Sequence, residues 1–335
     1  MTDRQTYTEG REPQVDDRER RSATAALKGL AAGLPYRTAF AESALLRDTL
    51  WPAASRYIVA RDRAGLLERL PILADAGYGI GVEVVGEEVR DVAEIAAIVA
   101  EYQALITESD RVLRRPLQLG FDLSSMGSLQ SRQLAYDNTA VLLEAAAGKG
   151  IDIIISMENS GFVDGILDVF RRLAANYDNV GLTLQAHLHR TAEDIESLAG
   201  VGAKIRLVKG VYRESPEVAL PRGPELDERY VTLLERLLDL QGRVTCASQD
   251  PVIHDLAGRS GLLKRVEEVE MLHGVRPDLL RGLRDQGIPV RVAAVYGENW
   301  WLHFLHRLAE YPPNVLTALA DLADPGRIEF ARDYR

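Results

Sequence analysis

The chain has 335 residues, 46% of them hydrophobic, and a net charge of −10 with acidic and basic residues interleaved along most of its length. That is enough apolar material for a large core, as one big α/β domain or two smaller ones, and the charge argues against a nucleic-acid-binding face. Cys246 is the single cysteine, which excludes an intramolecular disulfide and a cysteine-based zinc cluster, and no apolar run approaches the ~20 residues of a membrane span. A reducing, cytoplasmic setting is expected.

Residues 1–22 are polar and mixed in charge, with no apolar stretch like that of a signal peptide, and are expected to form a disordered tail. Residues 23–76 read as a helical extension, from ATAALKGLAAGL through FAESALLRDTL to RDRAGLLERLPILADAG. From there to residue 335 the rhythm changes. Eight short apolar runs follow: GIGVEVVG, PLQLGF, IDIIISM, VGLTLQA, AKIRLVKG, GRVTCAS, RVEEVEML and PVRVAAV. An amphipathic segment follows each, most clearly DVAEIAAIVAEYQALI and QLAYDNTAVLLEAAAG. Alternating strands and helices imply βα units and a parallel sheet, and eight units predict a distorted (β/α)₈ TIM-type barrel with a helical N-terminal extension. The competing doubly wound sheet would open on a glycine-rich phosphate loop, and neither G-x-G-x-x-G nor G-x-x-x-x-G-K-[ST] occurs.

Barrel chemistry gathers at the C-terminal ends of the strands. On that rule the candidates are Glu83, Gln118, Ser156 with Glu158, Gln185 with His187 and His189, Arg206 with Lys209 and Tyr212, Ser248 with Gln249, His273, and Tyr296. His303, His306, Arg307 and Glu310 fall at i, i+3, i+4 and i+7, one polar stripe on the helix after the eighth strand. Such a stripe meets either solvent or the barrel mouth.

Three constellations carry possible chemistry. His187 and His189 point to one side of a strand, as metal ligands would, but the chain lacks the further histidines such a site needs; two polar rim histidines are the plainer reading. Lys209, ending a buried strand, suits either a Schiff-base nucleophile or an ammonium paired with an anion or with a carboxylate such as Glu158. Arg206, Lys209 and Arg307 suggest a phosphate or carboxylate ligand, against scattered pairing with Glu158, Glu214 and Glu310.

The order VEVVGEE, SMENS, LQAHLHR, IRLVKGVYRE, YGENWW and HRLAE resembles the proline dehydrogenase family of flavoenzymes from about residue 79 to 313, with IRLVKGVY and HRLAE the richest matches. The resemblance implies a distorted barrel holding FAD at its C-terminal strand ends, which accounts for the missing glycine-rich loop. By position it implies that Gln185, Arg206, Lys209 and Gly210 contact the flavin and its phosphates. Ser248 and Gln249 stand where the family has a Thr-His pair, and Glu310 matches a cofactor-side glutamate. It further implies hydride transfer from a substrate carbon to the flavin, a small-molecule amine or amino-acid substrate, and an electron acceptor such as a quinone or oxygen. No covalent nucleophile, metal or integral membrane segment is implied.

The departures lie on the substrate side. His306-Arg307 replaces an Arg-Arg pair that clamps the proline carboxylate. Gln118, or Arg115 in another register, stands for a clamp lysine, and Ser156 for an aspartate. Ala293 replaces a tyrosine that packs on the substrate ring, while the pocket aromatic Tyr212 is kept. Losing one arginine and the lysine corresponds to roughly 100-fold or more in proline affinity unless His306 is charged. The expected substrate is therefore a larger or differently charged amine, such as a cyclic, N-substituted or N–N-containing amino acid. A cofactor-free lyase using Lys209, and a flavin-binding protein without catalysis, stand as alternatives.

Overall fold

The computed structural model describes residues 17–86, 88–240 and 242–335. Four helices come first: α1 (Asp17–Ala32), α2 (Leu34–Glu42), α3 (Ala44–Ala54) and α4 (Arg63–Asp75). Residues 17–22, read from sequence as tail, are thus the opening of α1, and residues 1–16 lie outside the described residues. Eight βα pairs follow: β1 (Gly79–Val84) with α5 (Val92–Val112), β2 (Gln118–Phe121) with α6 (Arg132–Ala146), β3 (Asp152–Ile155) with α7 (Val163–Ala174), and β4 (Val180–Gln185) with α8 (Thr191–Ser197). The second half holds β5 (Lys204–Val208) with α9 (Pro224–Leu240), β6 (Val244–Ala247) with α10 (Pro251–Arg259), β7 (Glu268–Leu272) with α11 (Pro277–Asp285), and β8 (Val290–Tyr296) with α12 (Trp301–Glu310). α13 (Asn314–Ala323) closes the chain's helical order. All eight predicted strands are present, pairing in parallel in chain order, with β8 returning to β1 to close the barrel.

Local chemistry fixes where several helices begin. Asp91, Ser131 and Asp250 accept backbone N–H groups as N-caps of α5, α6 and α10, and Pro251 follows as a first helical residue. The strands are buried on both faces because helices cover the outside and side chains fill the inside.

The barrel interior is unusually polar. Register places Glu83, Gly120, Ile154, Thr183, Arg206, Thr245, Glu268, Glu270, Arg291 and Ala293 on the inward face. Towards the N-terminal end, Glu268 receives Lys204 Nζ at 2.6 Å and Arg291 Nε at 2.8 Å. Burial opposes that carboxylate's charge, but Arg291 and Lys204 outweigh it and hold Glu268 down to about 2. Bulk is traded strand to strand: a Cβ on Gly120 would sit 2.4 Å from Glu83 Oε1, so glycine there lets Glu83 lie across β2.

A second core joins the N-terminal helices to the barrel's last helix. Trp300 is fully buried and meets Phe40 edge-on at 4.5 Å, with Phe304, Leu305 and Leu308 in the same cluster. The apolar face of α12 is thereby clamped by α1–α3, which settles where its polar stripe goes.

Candidate active site

The stripe faces protein. Arg307 is 6% exposed, His303 and His306 are half-buried, and Glu310 alone is exposed. Arg307 Nη1 lies 2.8 Å from Glu310 Oε2, and Gln249 Nε2, just past β6, reaches Glu310 at 3.3 Å. The Arg307–Glu310 approach is close but not aligned as a hydrogen bond. Among the described residues, Nε and Nη1 of Arg307 have no hydrogen-bond partner, nor do Nε2 of His303 and Nε2 of His187. Buried donors are rarely left this way. A guanidinium with open donor positions is suited to a carboxylate or phosphate oxygen, so the residues present fit an anionic ligand or cofactor.

The surroundings disfavour the charged form of both histidines of the stripe. Burial, then the charges of Arg307 and Lys28, lower His306 to about 4. His303 is pushed well below the ordinary imidazole range by burial, then by Arg307 and His306. Arg307 is therefore the charged member of the pair.

Arg206 occupies the barrel centre. Its Nη1 donates to Glu83 and Glu270, its Nη2 to Ser156 Oγ and its Nε to Thr183 Oγ1, all at 2.9 Å. These partners come from β1, β7, the end of β3, and β4. Burial works against the charge, but Glu270 and Glu83 prevail and raise the guanidinium pKa above its usual value. Ser156 is thus a partner of Arg206. Gln185, inward-facing at the end of β4, donates to Glu158 O at 2.8 Å and holds the SMENS loop against the mouth.

Two expectations for the second strand need correction. Gln118 is the first residue of β2, at its N-terminal end, and donates to Glu270 Oε2 at 2.8 Å beneath the Arg206 cluster. Arg115 lies before the strand and is exposed, so it too is on the side away from the mouth. The chain leaves β2 at the mouth through Asp122, a position missed because PLQLGF does not show which end of the run the ladder uses. The expectation of uncompensated mouth cations also changes. Arg206 carries two carboxylates, and Lys209 pairs with Asp227 and, at 2.6 Å, with Asp250, not with Glu158. Inward Val208 leaves Lys209 pointing to the helix side of the sheet, against a Schiff-base role.

The remaining candidates gather nearby. Gly210 has φ +103°, and a Cβ there would meet the His187 ring at 2.6 Å, so glycine is needed for both conformation and space. Burial, then Arg222, lower His187 to about 4. His189 is exposed and bonds Pro216 O at 2.9 Å, so the two histidines serve different neighbours. Among the described residues no group of three or more His, Cys, Asp or Glu side chains is placed to hold a metal. Ser248 Oγ accepts from Asp250 N at 3.1 Å, and its carbonyl bonds His254 Nε2 at 2.6 Å, ordering the turn that carries Gln249. Tyr212 is half-buried in the loop after β5. Ala293 faces inward between Gly81 and Leu272.

Fold and site together define a (β/α)₈ barrel enzyme whose mouth combines a centrally held arginine with a second, buried and partly unbonded one. A family model described as proline dehydrogenase matches residues 66–310. Proline dehydrogenase 2 of Bacillus subtilis (strain 168) is 33% identical over 273 residues, covering 79% of this chain and 89% of its own length. Proline dehydrogenase of Deinococcus radiodurans is 29% identical over 279 residues, covering 81% and 90%. The chain belongs to the proline dehydrogenase family and is an oxidoreductase of that type. In structure it is similar to proline utilization A from Bdellovibrio bacteriovorus, with a TM-score of 0.69 at 18% identity. That likeness covers 85% of this chain and 35% of the longer one, and it concerns the fold alone. No helix among the described residues is long and apolar enough to cross a membrane.

Proposed function

We propose that this enzyme is FAD-dependent and oxidises an amino acid at its C–N bond, with a preference for a substrate other than free proline. The observation that carries the reading is Arg307, a buried guanidinium with open donor positions beside a histidine held neutral. FAD, when bound, supplies the hydride acceptor. Arg206, Gln185, Gly210, Ser248, Gln249 and Glu310 are the residues that would hold it, and the supporting feature is that Glu310 and Gly210 border Arg307 and His187, whose side chains carry the open polar atoms.

The chain's own part is binding and orientation. Arg307 holds one carboxylate, and His306 offers an uncharged hydrogen bond where the family has a second cation. Arg206, locked by four partners and with its charge matched by Glu83 and Glu270, is a rigid polar anchor at the centre of the mouth. Ala293 leaves room on the inward face for a substituent that the proline ring lacks. Lys209 holds the mouth's outer wall through Asp227 and Asp250. The electron acceptor is a quinone, oxygen or a similar small oxidant.

The test is to purify the protein, identify released flavin chromatographically, and titrate it anaerobically with proline, N-alkyl amino acids, larger cyclic imino acids and hydrazino acids. Bleaching at lower concentrations by one of the latter groups than by proline supports the reading. Absence of any flavin uptake defeats it.

A further inference from the structure

Helix α1 lies outside the segment matched by the family model, residues 66–310, yet it delivers a lysine to the barrel mouth. Thr24 and Lys28 are four residues apart and share one helix face. Thr24 Oγ1 donates to Ala309 O at 3.0 Å, fastening α1 to α12. One turn further, Lys28 Nζ donates to Val211 O at 3.2 Å, in the loop that leaves β5. Arg222 reaches the same loop, its Nη2 donating to Gly210 O at 2.6 Å. Adjacent carbonyls are thus each held by a cation, next to the glycine and histidine that shape this side of the mouth.

These two cations sit in each other's field. Burial is the largest influence lowering the Lys28 pKa, followed by Arg222; Glu310 acts in the opposite sense and Arg213 adds to the lowering. Lys28 and Arg222 are also felt at His187, and Lys28 at His306, so the cluster borders the mouth itself. Among the described residues the ion pairs of the mouth belong to Arg206, Lys209 and Arg307, and none includes Lys28, Arg213 or Arg222. Lys209 has its charge matched by two carboxylates. Lys28 is half-buried and Arg222 is exposed, so the repulsion between them is partly screened by solvent, and an anion set between them relieves what remains.

We propose that Lys28 and Arg222 together hold the diphosphate of the dinucleotide cofactor, so that the N-terminal helix α1 is part of the cofactor site. The proposal rests on the FAD reading above and deepens it. It moves the phosphate-holding role from Lys209 to a pair of cations that form no ion pair with a carboxylate among the described residues, one of them outside the barrel.

The test titrates flavin-stripped protein with FAD and reads binding by quenching of flavin fluorescence, for wild type, Lys28→Met, Lys28→Arg and Arg222→Gln. Methionine keeps the aliphatic stem and removes the charge. Lys28→Met and Arg222→Gln are each expected to weaken FAD binding roughly tenfold or more and to flatten its salt dependence, because each removes one charge-assisted bond to phosphate. Lys28→Arg is expected to bind nearly as wild type. Wild-type affinity in both charge-removing variants overturns the proposal. So does a Lys28→Arg variant as weak as Lys28→Met, since that would assign Lys28 to fastening α1 and not to charge. Should Lys28→Met melt early because α1 detaches, Arg222→Gln decides alone. A wild-type protein that takes up no FAD removes the cofactor reading itself, and the proposal with it.

Discussion

Replacing His306 by arginine tests the substrate clamp most sharply. In the wild type, burial, with Arg307 and Lys28, lowers the imidazole to about 4, so at pH 7 the neutral ring is strongly favoured. One guanidinium, Arg307, is then left to bind a carboxylate. A second arginine at position 306 adds up to one bidentate bond, about 1.5–3 kcal/mol, or roughly 10- to 150-fold in proline affinity. The variant also places two cations side by side, so its melting temperature without ligand should fall and then recover as proline is added. The assay is anaerobic titration with L-proline, following loss of the oxidised-flavin band, alongside thermal melts. A folded, flavin-loaded His306→Arg protein whose proline affinity equals wild type would refute the clamp reasoning.

Other outcomes follow from the same geometry. Arg206→Leu leaves Glu83 and Glu270 facing each other inside the barrel and should cost about 3–5 kcal/mol in urea unfolding; adding Glu270→Gln should return part of it, and a single variant as stable as wild type would remove Arg206 from the centre of the account. Lys209→Met strips the ammonium from between Asp227 and Asp250 and should lower the melting temperature, with Asp227→Asn in the same background partly compensating. Stability should also depend on pH through the buried histidines. Burial lowers His273 to about 3, with Arg69 adding to it, and His187 and His306 lie near 4. Their folded values are below the unfolded ~6.5, so the unfolded chain binds more protons as pH falls, and their contribution, complete above ~6.5, is lost on acidification towards 3–4. His273→Phe should make the fall in melting temperature between pH 6.5 and 4 shallower, and an unchanged slope would exclude His273 as a contributor.

Much of the barrel was legible because each strand is a short apolar run followed by a helical period, and such alternation has few solutions. The polar stripe on α12 was visible as spacing, and its direction to the mouth came from the barrel reading and the HRLAE resemblance, not from the spacing itself. What fixes that direction, Trp300 and Phe304 packing under Phe40, is a long-range contact that no local pattern reports. Gln118 and Arg115 were placed at the wrong end of β2 because that run does not reveal where its ladder starts. The compensation of Arg206 and Lys209 was hidden for another reason. Glu270 and Glu83 lie far from Arg206 along the chain, and Asp227 and Asp250 enter from helices α9 and α10. Lys28 gave no signal at all, being one lysine among alanines and glycines in a segment read only as extension.

The most direct test of the central claim is anaerobic reduction of the flavin-loaded enzyme by matched series of proline and larger or N-substituted amino acids. Complete bleaching is expected from at least one of the latter, at a concentration at least tenfold below that needed for proline. Proline as the tightest reductant of the series would contradict it.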